Sequence, residues 1–238
     1  MSQKQPKSEF VKKLKEIKEP ASSRGTLWRV QDVEIPDGAV RLPGSLVLPV
    51  HARGLVIFAH GSGSSRLSPR NLQVSQTLNR GALGTLVFDL LTESEAEHRE
   101  NVFDVHLLAR RLIVATRWVR HQEMTRRIPL GYFGASTGAA AALWAAAELK
   151  HEISAVVSRG GRPDLAFSRL KEVVSPTLLL VGSEDDVVLK MNQHALPWLM
   201  TATLVVIPGA THLFEEAGAL ERVAEYARQW FVDHFSME

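Results

Sequence analysis

The sequence predicts an α/β domain, a mostly parallel eight-stranded sheet with helices on both faces and no large cap domain. Three observations predict it. From residue 54 onward, short and continuously apolar segments such as Leu55-Val56-Ile57-Phe58 and Thr177-Leu178-Leu179-Leu180-Val181 alternate with stretches of helical spacing, as in a parallel sheet covered on both faces. The 238 residues and 45% hydrophobic content suit one domain with a substantial core. The turns that follow three of the apolar segments carry a serine, an aspartate and a histidine, and in doubly wound sheets the ligand site lies at the carboxyl ends of strands.

Taken in order, residues 1–24 read as a basic helical arm, with Phe10, Leu14 and Ile17 on one face and Pro20-Ala21-Ser22-Ser23 ending the pattern. Such an arm packs on the domain, frays, or docks a partner or a membrane surface. Residues 25–238 form the single domain. Residues 28–35 alternate polar and apolar side chains, the pattern of an antiparallel edge strand, and Pro36-Asp37-Gly38 turns the chain into a second strand over 44–50. Six further strands are predicted over 54–59, 85–90, 129–133, 153–158, 176–181 and 203–207, giving eight with the segment from 27. Helices are predicted over 68–79, 105–121, 137–150, 163–172, 189–199 and 214–234, and 92–103 as a polar loop. The alanines of 139–147 suit a helix packed tightly against the sheet.

Composition narrows the function classes. Lys and Arg number 28 against 26 Asp and Glu, too even a balance to point to nucleic acid. Without cysteine the chain has no disulfide, thiolate nucleophile or Cys-ligated metal, and its usage fits the cytoplasm. No apolar run reaches membrane-spanning length, and the lysine-rich N-terminus lacks the apolar core of a secretion signal. The histidines lack the paired spacing of a metal site, so no metal and no cofactor is expected. Gly61-Ser62-Gly63 is not followed by Gly-Lys-Ser/Thr, which argues against a P-loop. The sequence is silent on oligomeric state.

The chemistry-bearing segment is Gly134-Ala135-Ser136-Thr137-Gly138, where an apolar strand runs into the alanine-rich helix. A serine hydroxyl is a poor nucleophile, so it needs exposure on a sharp turn, a base within reach and backbone N–H groups facing the developing oxyanion. Flanking glycines let strand and helix approach closely around such a turn. His60-Gly61-Ser62-Gly63 follows the strand ending at Ala59, Gly182-Ser183-Glu184-Asp185 the strand ending at Val181, and Pro208-Gly209-Ala210-Thr211-His212 the strand ending at Ile207.

This order of Ser, Asp and His past separate strands resembles the α/β-hydrolase pattern, over the chain from about Trp28 to its end. The His-Gly turn, the Gly-x-x-Asp-x-x-Val segment and the late Gly-x-x-His look most like the dienelactone-hydrolase-like branch. Dienelactone hydrolases proper use cysteine where this chain has Ser136, so dienelactone specificity is not carried over. The resemblance implies Ser136 as nucleophile, His212 as base and Asp185 as its orienting acid, ahead of Glu184 and Asp186, which have the reading of solvated loop charges. It implies an oxyanion hole from the backbone N–H groups of Ser62 and Thr137. It also implies a small ester, lactone or thioester as substrate. A ligand- or partner-binding protein that keeps the fold without catalysis is the alternative. Arg66, Arg159 and Arg162 lie near strand ends, and either pair with the protein's own acids or recognise an anionic substrate.

Overall fold

The computed structural model describes residues 28–235, so the basic arm expected over 1–24 lies outside the described residues. Eight strands form one sheet: β1 (Trp28–Asp37), β2 (Val40–Pro49), β3 (Leu55–Ala59), β4 (Gly84–Phe88), β5 (Leu130–Ala135), β6 (Ala155–Arg159), β7 (Thr177–Gly182) and β8 (Ala202–Ile207). Their spatial order is β1-β2-β4-β3-β5-β6-β7-β8. Two antiparallel pairings, β1 with β2 and β2 with β4, form one edge, and every other pairing is parallel.

The order places the functional end. From β3 the chain crosses to β4 on one side and then returns to β5 on the other, so the connections diverge between β3 and β5, with Ala59 in register with Gly134. A crevice opens at such a switch point, beyond the carboxyl ends of the strands. The turns starting at His60 and Ser136 leave the sheet there.

Seven α-helices cover the two faces among the described residues: α1 (Pro69–Arg80), α2 (Glu93–Ala96), α3 (Arg99–Phe103), α4 (Val105–His121), α5 (Thr137–Leu149), α6 (Asp186–Ala195) and α7 (Ala219–His234). On one face Ile57, Leu86, Tyr132, Val156 and Leu179 pack under α4 and α5. On the other Val56, Phe58, Phe133, Val157 and Leu180 pack under α1 and α7. Strands buried on both sides need no alternation, which is why they read as continuous apolar runs. Each fully buried aliphatic or aromatic side chain contributes about 1.5–3 kcal/mol of transfer free energy. Tyr132 is fully buried, and its hydroxyl is satisfied by Thr116 Oγ1 at 2.6 Å, while burial holds the phenol far above its ordinary pKa. The alanines of α5 are buried on all sides, so the helix lies close against the sheet, α4 and the 3-10 segment Pro163–Glu172.

Four local expectations are corrected. β2 begins at Val40, because the antiparallel ladder runs on through Arg41 and Pro43 to Asp37 opposite Val40. The segment expected as a loop over 92–103 holds α2 and α3. Thr92 and Glu95 form a reciprocal capping box there, and Glu95 is anchored to the buried Arg111. The helix expected from 189 starts earlier, at Asp186, and gives way to a 3-10 turn at Leu196–Trp198. The last helix starts at Ala219 rather than 214, since Phe214 and Gly218 both take positive φ and Phe214 instead plugs the core.

Candidate active site

Ser136 has φ 50° and ψ −119°, a conformation that costs a non-glycine residue of order 1–3 kcal/mol and persists only where the surroundings hold it. Three backbone bonds do so. Its N–H donates to Arg159 O at 3.1 Å, and its carbonyl accepts from Ala139 N at 3.1 Å and Arg162 N at 3.2 Å. Close approach completes the turn: a Cβ on Gly138 would overlap the carbonyl oxygens of Ala59 and His60, so only glycine lets α5 start this near to β3. The serine side chain caps no helix N–H, and the residue is partly exposed.

The His60-Gly61-Ser62 turn meets the same point. A Cβ on Gly61 would lie 2.9 Å from Ala135 O and 3.0 Å from Ser136 Cβ. His60 Nε2 accepts from Leu90 N at 3.0 Å, which puts the ring proton on Nδ1, 3.1 Å from Gly61 O. Burial lowers the imidazole pKa and keeps it neutral, with the Gly61 bond and Asp89 opposing the shift. The Ser62 N–H donates to Thr137 Oγ1 at 3.0 Å. The two residues expected to line an oxyanion hole are thus adjacent, with one of the two N–H groups engaged by the other residue's hydroxyl.

Asp185 and His212 come together from β7 and β8. Asp185 begins α6 with its backbone, its carbonyl accepting from Leu189 N at 2.8 Å, which leaves the carboxylate free to meet His212 Nδ1 at 2.6 Å. Their side chains are 13% and 39% exposed, so the pair is shielded on the acid's side and open on the base's. The two loops are stitched by Ser183 N to Ile207 O and Glu184 N to Ala210 O, both 3.0 Å. Glu184 and Asp186 are exposed and make no bond to His212. His212 lies against Gly160, where a Cβ at φ 52° would sit 3.4 Å from its Cε1 and Nδ1. Gly160 follows the residue that holds the Ser136 N–H, so serine and histidine flank one turn. Among the described residues the side-chain bond of His212 is the one to Asp185, and none joins it to Ser136.

Two of the three arginines are paired with the protein's own acids. Arg66 pairs with Asp89, its N–H at 2.6 Å and its Nε at 3.5 Å, and Arg162 grips Asp164 bidentately at 2.9 and 2.7 Å. Arg159 is buried and its Nε and Nη1 find no partner among the described residues. Sequence reasoning missed Asn192, fully buried in α6, which donates to Gly161 O at 2.9 Å and so braces the turn between Ser136 and His212. Its signal was a lone amide on the apolar face of that helix. Two grooves of about 290 and 280 Å³ run along α4, one past Trp118 and His121 and one past His106 and Trp144, on an outer helix face. Among the described residues no group of three or more His, Asp or Glu is placed to hold a metal, and no helix is long and apolar enough to cross a membrane.

No family model matches the chain. Two Mycobacterium tuberculosis proteins, named provisionally as phosphoribosyl transferases, are each 54% identical over 207 residues, 87% of this chain and 47% of theirs. The chain therefore spans about half the length of the curated relatives it matches. Among solved structures, a dienelactone hydrolase from Anabaena variabilis is 52% identical with a TM-score of 0.84, over 87% of this chain and 98% of that one. Est1E from Butyrivibrio proteoclasticus, at 16% identity over 85% of this chain and 98% of its own, has a TM-score of 0.74 and shares the fold. So does a dienelactone-hydrolase-like promiscuous phosphotriesterase from metagenomic libraries, at 17% identity over 89% and 100%, also with a TM-score of 0.74. With that fold, and half its residues in common with the Anabaena protein over nearly that protein's whole length, the chain belongs to the dienelactone-hydrolase-like branch of the α/β-hydrolases.

Proposed function

We propose that this protein is a serine hydrolase that cleaves a small ester, lactone or thioester through an acyl-enzyme. Hydrolase relatives support the reaction class, and the observation that carries the residue assignment is the 2.6 Å Asp185–His212 bond on a loop packed against the turn that holds Ser136. With Nδ1–H donated to Asp185, the lone pair of His212 is on Nε2, the tautomer a general base needs. Ser136 Oγ attacks the acyl carbon and its proton passes to Nε2. Asp185 stabilises the imidazolium, and the imidazolium protonates the leaving group. Water activated by the same nitrogen then releases the acid.

The Thr137 N–H, at the start of α5, and the Ser62 N–H receive the oxyanion. For Ser62 this requires the Thr137 hydroxyl to rotate away, exchanging one acceptor for a more highly charged one. The phosphoribosyl transferase name belongs to proteins about twice this chain's length, and the hydrolase reading concerns the part that is shared. Absence of cysteine is compatible with a cytoplasmic enzyme. A screen of short acyl esters, lactones and thioesters tests the reading. Hydrolysis by wild type, reduced by about 10⁵-fold or more in Ser136→Ala, is expected. Wild-type turnover by contaminant-free Ser136→Ala, or no turnover of any ester, lactone or thioester by folded protein, contradicts it.

A further inference from the structure

Arg159 closes β6 with its side chain on the same face as Ala155 and Val157, which belong to the core under α7 with Phe214 and Phe231. It is 8% exposed, and neither Nε nor Nη1 has a hydrogen-bond partner among the described residues. Burial, with the nearby charge of Arg70, pushes its pKa down to about 10. An uncompensated buried charge is among the costliest features a core can hold, and here a second cation stands beside it.

The surroundings are those of an anion receptor. Arg70 and Asn71 lie in the first turn of the twelve-residue α1, which has no acidic residue and no side-chain cap to oppose its dipole, and the buried Asn71 Oδ1 is itself unpartnered among the described residues. Arg70 Nη1 is bonded to Glu215 at 3.0 Å, but its Nε is buried without a partner. Glu216, the next acid on that loop, is bonded through Oε1 to Thr211 at 2.6 Å, and its Oε2 is unpartnered. The free donors thus come from a strand end and from a helix end. Two guanidinium groups with free donors suit the two negative charges of a phosphate monoester, whereas a carboxylate carries one. The carbonyl of Arg159 holds the Ser136 N–H, so the receptor adjoins the candidate nucleophile.

We propose that Arg159, with Arg70 and the first turn of α1, binds the phosphate group of a phosphorylated ester. As a statement about substrate this rests on the hydrolase reading; as a statement about binding it does not. Calorimetric titration of the full chain with inorganic phosphate, against acetate and chloride at matched ionic strength, tests it. Wild type should bind phosphate at one site in preference to both, Arg159→Met about tenfold or more weakly, and Arg70→Gln measurably less tightly. Should Arg159→Met fail to fold, the affinity of Arg70→Gln decides between the same two outcomes. Equal response to phosphate and acetate, or unchanged affinity in the variants, overturns the proposal. Fluorophosphonate labelling of the same samples separates the two readings: a labelled serine without phosphate binding refutes the receptor alone, and phosphate binding without a labelled serine refutes the hydrolase alone.

Discussion

Gly138→Ala tests how the turn around Ser136 is built. The added methyl would overlap the carbonyl oxygens of Ala59 and His60 and lie 2.6 Å from the Ala59 carbonyl carbon, where 3.4 Å is an ordinary contact. All three obstacles are backbone, so β3 and the start of α5 must part by about 1 Å. Overpacking of this kind costs about 1–3 kcal/mol. At about 2–4 °C per kcal/mol for a domain of this size, Tm should fall by roughly 2–12 °C. The displacement falls between Ser62 and Thr137, and a misplacement of about 1 Å costs about a hundredfold in rate. The assay is kcat/KM on a short acyl ester beside a melting curve. Gly38→Ala is the control: it is strained at φ 61° in the β1–β2 turn, with nothing within 4 Å, so it should lose about 1 kcal/mol and keep its rate. Wild-type kcat/KM in folded Gly138→Ala would refute the reasoning.

Three more outcomes are expected. Asp185→Asn should lower kcat by about 10⁴-fold with little change in the melting curve, and a loss below tenfold would remove Asp185 from the mechanism. Because two short helices rather than a large cap follow β4 and no cap domain stands among the described residues, kcat/KM should fall as the acyl chain lengthens, and a steady rise to long chains would reveal an apolar channel. The folded pKa of His60 is depressed by burial, so the unfolded chain takes up a proton below about 6.5 that the folded chain refuses. Stability from this group is therefore full above about pH 6.5 and lost as pH falls from there towards the folded pKa. The drop in Tm between about pH 7.5 and 5.5 should be smaller in His60→Gln, and an unchanged drop would show that His60 does not titrate in that window.

What the sequence disclosed, and what it hid, follows from the range of the interactions. Parallel strands buried on both faces are marked by their own residues, and Leu55–Ala59 and Thr177–Gly182 match their apolar runs to within a residue or two. The start of β2 was hidden because Arg41 and Pro43 enter the ladder through pairing with β1, a partner's contribution that composition does not show. Thr92-Glu93-Ser94-Glu95 did carry a capping-box signal, obscured by the polar run around it. At the site, Asp185 stood out from Glu184 and Asp186 by position, and its carboxylate is the one that lies 2.6 Å from His212 Nδ1. The arginines were not separable, because Arg66 is paired with an acid 23 positions away and the isolation of Arg159 depends on what three distant segments leave unfilled. The engagement of Ser62 by Thr137 spans 75 positions and was equally out of reach.

The central claim is that Ser136 is an activated nucleophile. Its most direct test is intact-mass and peptide mapping of the full chain after reaction with a fluorophosphonate. Stoichiometric modification of Ser136, slowed by orders of magnitude in His212→Ala, is the predicted result. Folded protein that stays unmodified, or that is modified at another residue with Ser136 untouched, would contradict it.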